Sequence, residues 1–345
     1  MEGSSHGRSG RKVIYSSVAV LAIVILASIL GFQYLRAPPS TVTGITVGFV
    51  DVSNAHWPIY IAEDVGIFRK YGLNVTTVTL GSGRDTAAAL VSGQIQIASM
   101  TLTSLVPAKL EGLDIVQVAA TEKTRPLYLI TRQDIRSVEQ LKGKTGGVMT
   151  VGSGLIYVAT ITMLRQLGLD PAKDVTLVGI PASTAVMFAA LQSGKIDFTL
   201  ESEVSTAKKL GLNVLFYLPD IIEGLPGNGC ATTSKYLREN RETVKQFIKA
   251  LTEATRFFFE NRDESKRILG KWLQENDPES LEQHYRDWSR VALRIPETAM
   301  DQVASILDAL APFNPKAMNA DPSIFVDNSL VEELESEGFF SRVWE

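Results

Sequence analysis

Asn54, His56 and Trp57, then Gly81, Ser82 and Gly83, then Thr101 and Thr103, and later Gly152, Ser153, Tyr157 and Glu201 share one kind of position. Each lies where a strand-like run gives way to helical spacing. Glycines and hydroxyl side chains there leave backbone N–H groups free at a helix start, where the macrodipole also draws negative charge. A dipole end contributes only about 0.3–1 kcal/mol, whereas each charge-assisted hydrogen bond adds about 1.5–3 kcal/mol. About four or five such bonds in a closed, dry crevice correspond to ~µM binding or tighter after ordering costs. Trp57, Tyr60 and Tyr157 offer flat apolar walls for a ring or a short alkyl chain. Arg84 and Arg125 are candidate counter-charges for an anion, whereas Glu201, at the end of Phe198-Thr199-Leu200, favours an amine. The charge of the ligand therefore stays open. The same atoms also serve plain structure. Ser, Thr and Asn before a helix act as N-caps, Gly81 and Gly83 suit a tight turn, and aromatic side chains usually pack inside.

Catalytic constellations are absent from the sequence. There is no G-x-S-x-G elbow and no G-x-x-x-x-G-K-[ST] loop, and Gly147–Gly152 does not match a dinucleotide fingerprint. His6, His56 and His284 are too scattered for a zinc site, and Cys230 has no histidine nearby in sequence. The expectation is a binding protein without cofactor or metal, with Cys230 a small core residue.

The elements that must position these loops repeat. Ala88-Ala89-Leu90-Val91-Ser92-Gly93-Gln94-Ile95 is echoed by Ala189-Ala190-Leu191-Gln192-Ser193-Gly194-Lys195-Ile196. Each copy reads as a helix end closed by glycine and followed by a strand. Upstream, Val75–Leu80 matches Val175–Gly179, and Ile59-Tyr60-Ile61-Ala62 matches Ile156-Tyr157-Val158-Ala159. Each half thus reads strand, loop, helix, strand, loop, helix, strand, the alternation of parallel sheets covered on both faces. Ligands of such sheets sit beyond the carboxyl ends of the strands. Beyond Lys235 the spacing turns helical over Tyr236–Asn261, Asp263–Trp272, Pro278–Val291 and Pro296–Leu310, with a short helix at Val331–Glu337.

Of 345 residues, 45% are hydrophobic and 21% charged, with a net charge of -4, which argues against a nucleic-acid partner. Arg8, Arg11 and Lys12 precede an apolar stretch from Val13 to Phe32, long enough for a membrane-spanning helix with the remainder outside. Ala27-Ser28-Ile29 and Leu35-Arg36-Ala37 fit a signal-peptidase site poorly, which favours a retained anchor over a cleaved signal.

Trp57-Pro58-Ile59-Tyr60-Ile61-Ala62-Glu63-Asp64-Val65-Gly66-Ile67-Phe68, continuing to Tyr71-Gly72-Leu73-Asn74-Val75, together with the paired Ser-Gly-x-Ile segments and Ser137–Lys144, carries a resemblance. The chain resembles the ABC-importer binding proteins for nitrate, sulfonates, taurine and thiamine-pyrimidine precursors, the NMT1/THI5-like group. The resemblance implies an α/β, two-lobed periplasmic-binding-protein fold of type II, each lobe a mostly parallel sheet flanked by helices, after the N-terminal transmembrane helix. Crossovers are expected near Thr121–Thr131 and Leu215–Thr233, with cleft contacts from Asn54–Trp57, Gly81–Gly83, Thr101–Thr103 and Gly152–Ser153. The chain then divides into a basic cytoplasmic segment (1–12), an anchor or signal (13–35) and a linker (36–44). Lobe 1 (45–125), lobe 2 (126–222) and a return to lobe 1 with C-terminal helices (223–345) follow. Two departures stand out. Gln96 replaces the usual acidic residue after the first Ser-Gly-x-Ile, and the cysteine-rich motif of the pyrimidine-forming enzymes is missing. The implied partners are a small-molecule ligand, an ABC permease with its ATPase, and the membrane, for a monomeric, extracytoplasmic protein. A ligand sensor, or an enzyme using Glu201, Asp85 or His56, is the alternative.

Overall fold

Ile45, Val47 and Phe49 alternate along β1 (Thr43–Phe49), which buries one face and starts the first sheet. The computed structural model describes residues 42–152, 154–180, 184–222, 225–312 and 314–345. Both the segment expected to span the membrane (13–35) and Ser153 lie outside the described residues. Among the described residues no helix is long and apolar enough to cross a membrane.

After β1 come α1 (Trp57–Asp64), α2 (Ile67–Lys70), β2 (Leu73–Thr79), α3 (Gly83–Val91), β3 (Ile97–Thr101), α4 (Leu102–Leu110) and β4 (Val116–Ala120). The chain then crosses to a second sheet with β5 (Tyr128–Thr131), β6 (Lys144–Val148), α5 (Leu155–Gln166), β7 (Val175–Gly179), α6 (Thr184–Gln192), β8 (Phe198–Glu201), α7 (Val204–Lys209) and β9 (Asn213–Tyr217). It returns as β10 (Asn228–Thr232) and finishes in α8 (Ser234–Glu239), α9 (Arg241–Glu260), α10 (Arg262–Leu273), α11 (Pro278–Val291), α12 (Met300–Leu310), α13 (Ser329–Ser336) and α14 (Phe339–Trp344). The helix expected from Pro296 begins instead at Met300. Pro296 belongs to an extended stretch, and its carbonyl accepts from the Ala120 N–H at 2.8 Å.

The two sheets have the same permutation, β2-β1-β3-β10-β4 and β7-β6-β8-β5-β9. Each is mixed. Four strands run one way, and the strand that has just crossed from the other lobe is inserted antiparallel between two of them. That is the correction to a mostly parallel reading: strand–helix alternation within one lobe says nothing about a strand that arrives from elsewhere.

The sequence echo has a packing cause. Ile95 and Ile196, the isoleucines of the two Ser-Gly-x-Ile segments, each fill space over a glycine of a central strand. A Cβ on Gly48 or on Gly147 would lie 2.5 Å from the Cδ1 of its isoleucine. Gly93 and Gly194 take left-handed φ values of 79° and 75°, which let each helix turn sharply into that isoleucine. The next side chain accepts from the central strand in both halves, Gln96 Oε1 from Thr46 N at 2.8 Å and Asp197 Oδ2 from Thr145 N at 2.9 Å. Gln96 therefore keeps the hydrogen bond. The ion pair occurs only in the second lobe, where Arg132 lies 3.4 Å from Asp197.

The register of the inserted strands decides where the loops gather. Asn228, at the start of β10, pairs with Thr101 at the end of β3, and Tyr128, at the start of β5, pairs with Glu201 at the end of β8. Both crossings and the carboxyl ends of the same-direction strands therefore meet along one edge of each sheet.

Candidate functional site

On lobe 1 the loops after β1 and β2 are zipped together, with Leu80 N bonded to Phe49 O and Gly81 N to Val50 O, both at 2.9 Å. Gly83 lies against the next loop, where a Cβ on it would be 2.6 Å from Ser104 Oγ. Ser82 is the N-cap of α3: its hydroxyl accepts from Asp85 N and donates to the Asp85 carboxylate. Thr101 and Thr103 share a hydrogen between hydroxyls 2.7 Å apart. Gly81, Ser82, Gly83 and Thr101 keep solvent access, whereas Thr103 is buried.

On lobe 2, Gly152 and Glu201 keep partial access, and Thr184 Oγ1 donates to Glu201 Oε2 at 3.1 Å. The two lobes touch directly, α4 lying against α5, so the helix starts at Leu102 and Leu155 belong to elements that face each other.

Trp57 and Tyr157 are not walls of this crevice. Trp57 has no exposed surface and packs on Phe258, Tyr285 and Trp288 at centroid distances of 4.9–6.3 Å. The cause is α1, which is covered by α9 and α10, so that its Trp57–Ala62 face has nowhere to meet solvent. Tyr157 is buried beside Val148 and Ile161. Arg125 is not a free counter-charge either. It makes a two-pronged contact with the buried Glu122 at 2.9 and 2.8 Å.

A connected polar chain runs beneath the loops, most of it invisible in the sequence. Glu122 also accepts from Trp288 Nε1 (2.8 Å) and from Asn228 N (3.2 Å). Asn228 Nδ2 donates to Ser99 Oγ (2.8 Å), and Ser99 Oγ lies 2.9 Å from Nδ1 of His56, whose ring stacks on Phe49. On the other side, Arg125 Nη2 donates to Asn54 Oδ1 (3.3 Å), and Asn54 Nδ2 donates to His284 Nδ1 (2.9 Å). His284 Nε2 then faces Glu203 Oε2 at 3.6 Å. Since Nδ1 accepts, the hydrogen of the neutral ring is on Nε2 and points at the Glu203 carboxylate. Asn54 and His56 are thus buried, network-forming residues, and α11, through His284, ties the lobe 1 loop to lobe 2. Asp287, on the same helix, accepts from the Tyr128 hydroxyl at 2.6 Å, and its carbonyl accepts from Tyr217.

Three carboxylates stand at these strand ends with different electrostatics. At Glu201, burial pushes the carboxyl up to about 7, with the Thr184 hydrogen bond opposing and the negative charge of Glu203 adding. At Asp51, burial acts upward but is outweighed by His56, whose Nε2 faces the carboxylate at 3.7 Å, by Ser53 and by Arg125, and the carboxyl ends below its ordinary range. Glu203 behaves likewise, the upward push of burial yielding to His284 and Ser202. Glu203 and Asp51 were open to sequence reading as neighbours of Glu201 and Asn54. His284 was not, being 230 residues from its partner.

Two matching α/β lobes that exchange strands twice, with helix starts and charged strand ends meeting at their junction, define the two-lobed solute-binding-protein class of fold. The chain belongs to the family described as NMT1/THI5 like, whose family model matches residues 53–265, more than half of the sequence. It is 26% identical over 220 residues to the putative binding protein YtlA of Bacillus subtilis (strain 168), covering 62% of this chain and 66% of that one. It is also 26% identical over 227 residues to the 4-amino-5-hydroxymethyl-2-methylpyrimidine phosphate synthase THI13 of Saccharomyces cerevisiae, covering 58% of this chain and 62% of that one. The matched stretch spans under two thirds of each relative. The periplasmic aliphatic sulphonate binding protein SsuA from Escherichia coli shares the fold, with a TM-score of 0.68 and 18% identity over 82% of this chain and 92% of that one.

Proposed function

We propose that this protein is the extracytoplasmic solute-binding component of an ABC importer, capturing a small molecule by hinge closure and delivering it to a membrane permease. The observation that carries the reading is the paired register: Tyr128 with Glu201 and Asn228 with Thr101 bring both crossings and the strand ends of both lobes to one junction. A ligand touching both lobes favours the closed arrangement by as much as its affinity differs between the two states. The kinship with YtlA, named a putative binding protein, and the fold likeness to SsuA support this reading. The ligand would occupy the space bordered by Gly81–Gly83, Thr101, Gly152 and Glu201, with Asn54, His56 and Thr103 holding those loops from beneath. The chain divides for this purpose into lobes at 45–125 and 126–222 with a return over 223–345.

A thermal-shift screen of the purified chain, followed by small-angle scattering on any hit, tests this. A solute at about 100 times its dissociation constant raises stability by about 2.7 kcal/mol, and closure reduces the radius of gyration. Stabilisation by a protein partner alone, with no solute compacting the chain, would count against transport. Kinship with THI13 favours an enzyme as the second reading, and turnover of a bound pyrimidine precursor would be its signature.

A further inference from the structure

Resting on the solute-binding reading, we infer that the site selects a small organic cation with an apolar body, its charged head held by Asp51, Glu201 and Glu203.

The charges at the junction are lopsided. Asp51 follows β1, Glu201 ends β8 and Glu203 immediately precedes α7. The basic groups closest to them in the network are already engaged. Arg125 is held in the crossing by Glu122 and Asn54. His284 accepts at Nδ1 from Asn54, which is the neutral form of the ring. Arg84 is exposed on the first turn of α3. A nitrate or sulfonate entering here would meet carboxylates without a matching guanidinium, and like charges repel.

A second observation lies one layer down. His56 is 3% exposed, and its Nε2 has no hydrogen-bond partner while facing Asp51 Oδ1 at 3.7 Å. Ser99 Oγ, which accepts from Asn228 Nδ2, lies 2.9 Å from His56 Nδ1, so one ring nitrogen is engaged in the network and the other is left facing Asp51. An unpartnered ring nitrogen this deeply buried and facing an exposed carboxylate is placed to hold that carboxylate beside a bound cation.

The third observation concerns the body of the ligand. Met149 and Val151, in the loop after β6, and Val186, in the first turn of α6, are large apolar side chains left about half exposed at 51%, 51% and 48%. They stand at the carboxyl ends of β6 and β7, on the lobe that supplies Glu201 and Glu203. Val151 leans over the end of β7, 3.9 Å from where a Cβ on Gly179 would be. Apolar surface beside carboxylates suits an alkyl- or arylammonium ion, and neither feature helps a small inorganic anion.

The test compares heads on one body: phenethylamine, 3-phenylpropionate and 2-phenylethanesulfonate, extended to butylamine, benzamidine, butanesulfonate and nitrate, each against the full chain at pH 7.5 by calorimetry and small-angle scattering. The expected result is binding and compaction by at least one cation, at least tenfold tighter than its anionic counterpart, with Glu201→Gln or Glu203→Gln weakening it at least tenfold. An anion that binds as tightly as its cationic counterpart and compacts the chain overturns cation selectivity and leaves the solute-binding reading standing. Cation binding that both substitutions leave unchanged also overturns it. If no solute of either charge binds or compacts the chain, the two readings fall together.

Discussion

Asn54 and His284 meet at 2.9 Å across 230 residues of sequence, the amide Nδ2 donating to the ring Nδ1. The contact sets the orientation of both groups, because Arg125 already claims the Asn54 oxygen and Glu203 faces the other nitrogen of the ring. It also makes α11 a strap between the first loop of lobe 1 and the carboxylate end of lobe 2.

Replacing His284 with Ala removes that strap and leaves the Asn54 amide buried without an acceptor. The expected loss is about 1–3 kcal/mol of stability, the usual cost of stranding a buried polar group. Urea titration measures it, and scattering of the variant should show a larger radius of gyration than the parent.

Trp57→Ala should act on folding before it acts on binding. With Trp57 enclosed by Phe258, Tyr285 and Trp288, truncation opens a cavity in an aromatic cluster and should cost about 3–5 kcal/mol. A variant that melts with the parent yet binds less well would return Trp57 to the ligand's surroundings.

Glu201 makes stability depend on pH in a definite direction. Its carboxyl is raised from 4.5 to about 7 by burial, so between those values the native chain holds a proton that the unfolded chain has released. Stability contributed by this group therefore falls as pH rises from about 4.5 to 7 and levels off above. Partial exposure and solvent screening limit the effect to about 1–3 kcal/mol. Denaturant midpoints across that window should flatten in Glu201→Gln.

Gly48→Ala and Gly147→Ala should be similar lesions, the second somewhat tighter because Met187 Sδ also comes within 2.8 Å, against 3.0 Å for Leu80 Cδ1 at the first. In each, the new methyl meets the Cδ1 of Ile95 or of Ile196 at 2.5 Å, and overpacking of this kind costs about 1–3 kcal/mol. Similar losses in the two variants, each relieved by Ile→Val at its partner, would verify that the echoed segments pack alike.

Cys230 is fully buried, and burial pushes its thiol up to about 12. A thiol-reactive dye should label the native chain far more slowly than the unfolded one, since the thiolate is the reactive form.

Much of the architecture was legible from local pattern. Alternation marked β1, glycines marked the helix ends at Gly93 and Gly194, and the echo exposed two matching halves, because each of these depends on residues within a few positions of one another. The expected helices at 236–261, 263–272 and 278–291 correspond to α8–α9, α10 and α11. What escaped depended on partners far away. Gln96 stands where an acidic residue is usual and, without its ion pair, retains the hydrogen bond of its counterpart Asp197, because an amide oxygen as well as a carboxylate oxygen accepts from a strand N–H.

By itself the sequence determined which segments become strands and helices, that they come twice, and that their junction loops are small and polar, since backbone preference and hydrophobic period are local properties. Only the tertiary structure decided which of those loops' side chains are buried and with whom. Trp57 went to the core because α9 and α10 cover α1, Arg125 was neutralised by Glu122, and a histidine from α11 entered the site. Burial and charge pairing are properties of surroundings, and here those surroundings are assembled from residues up to 230 positions apart.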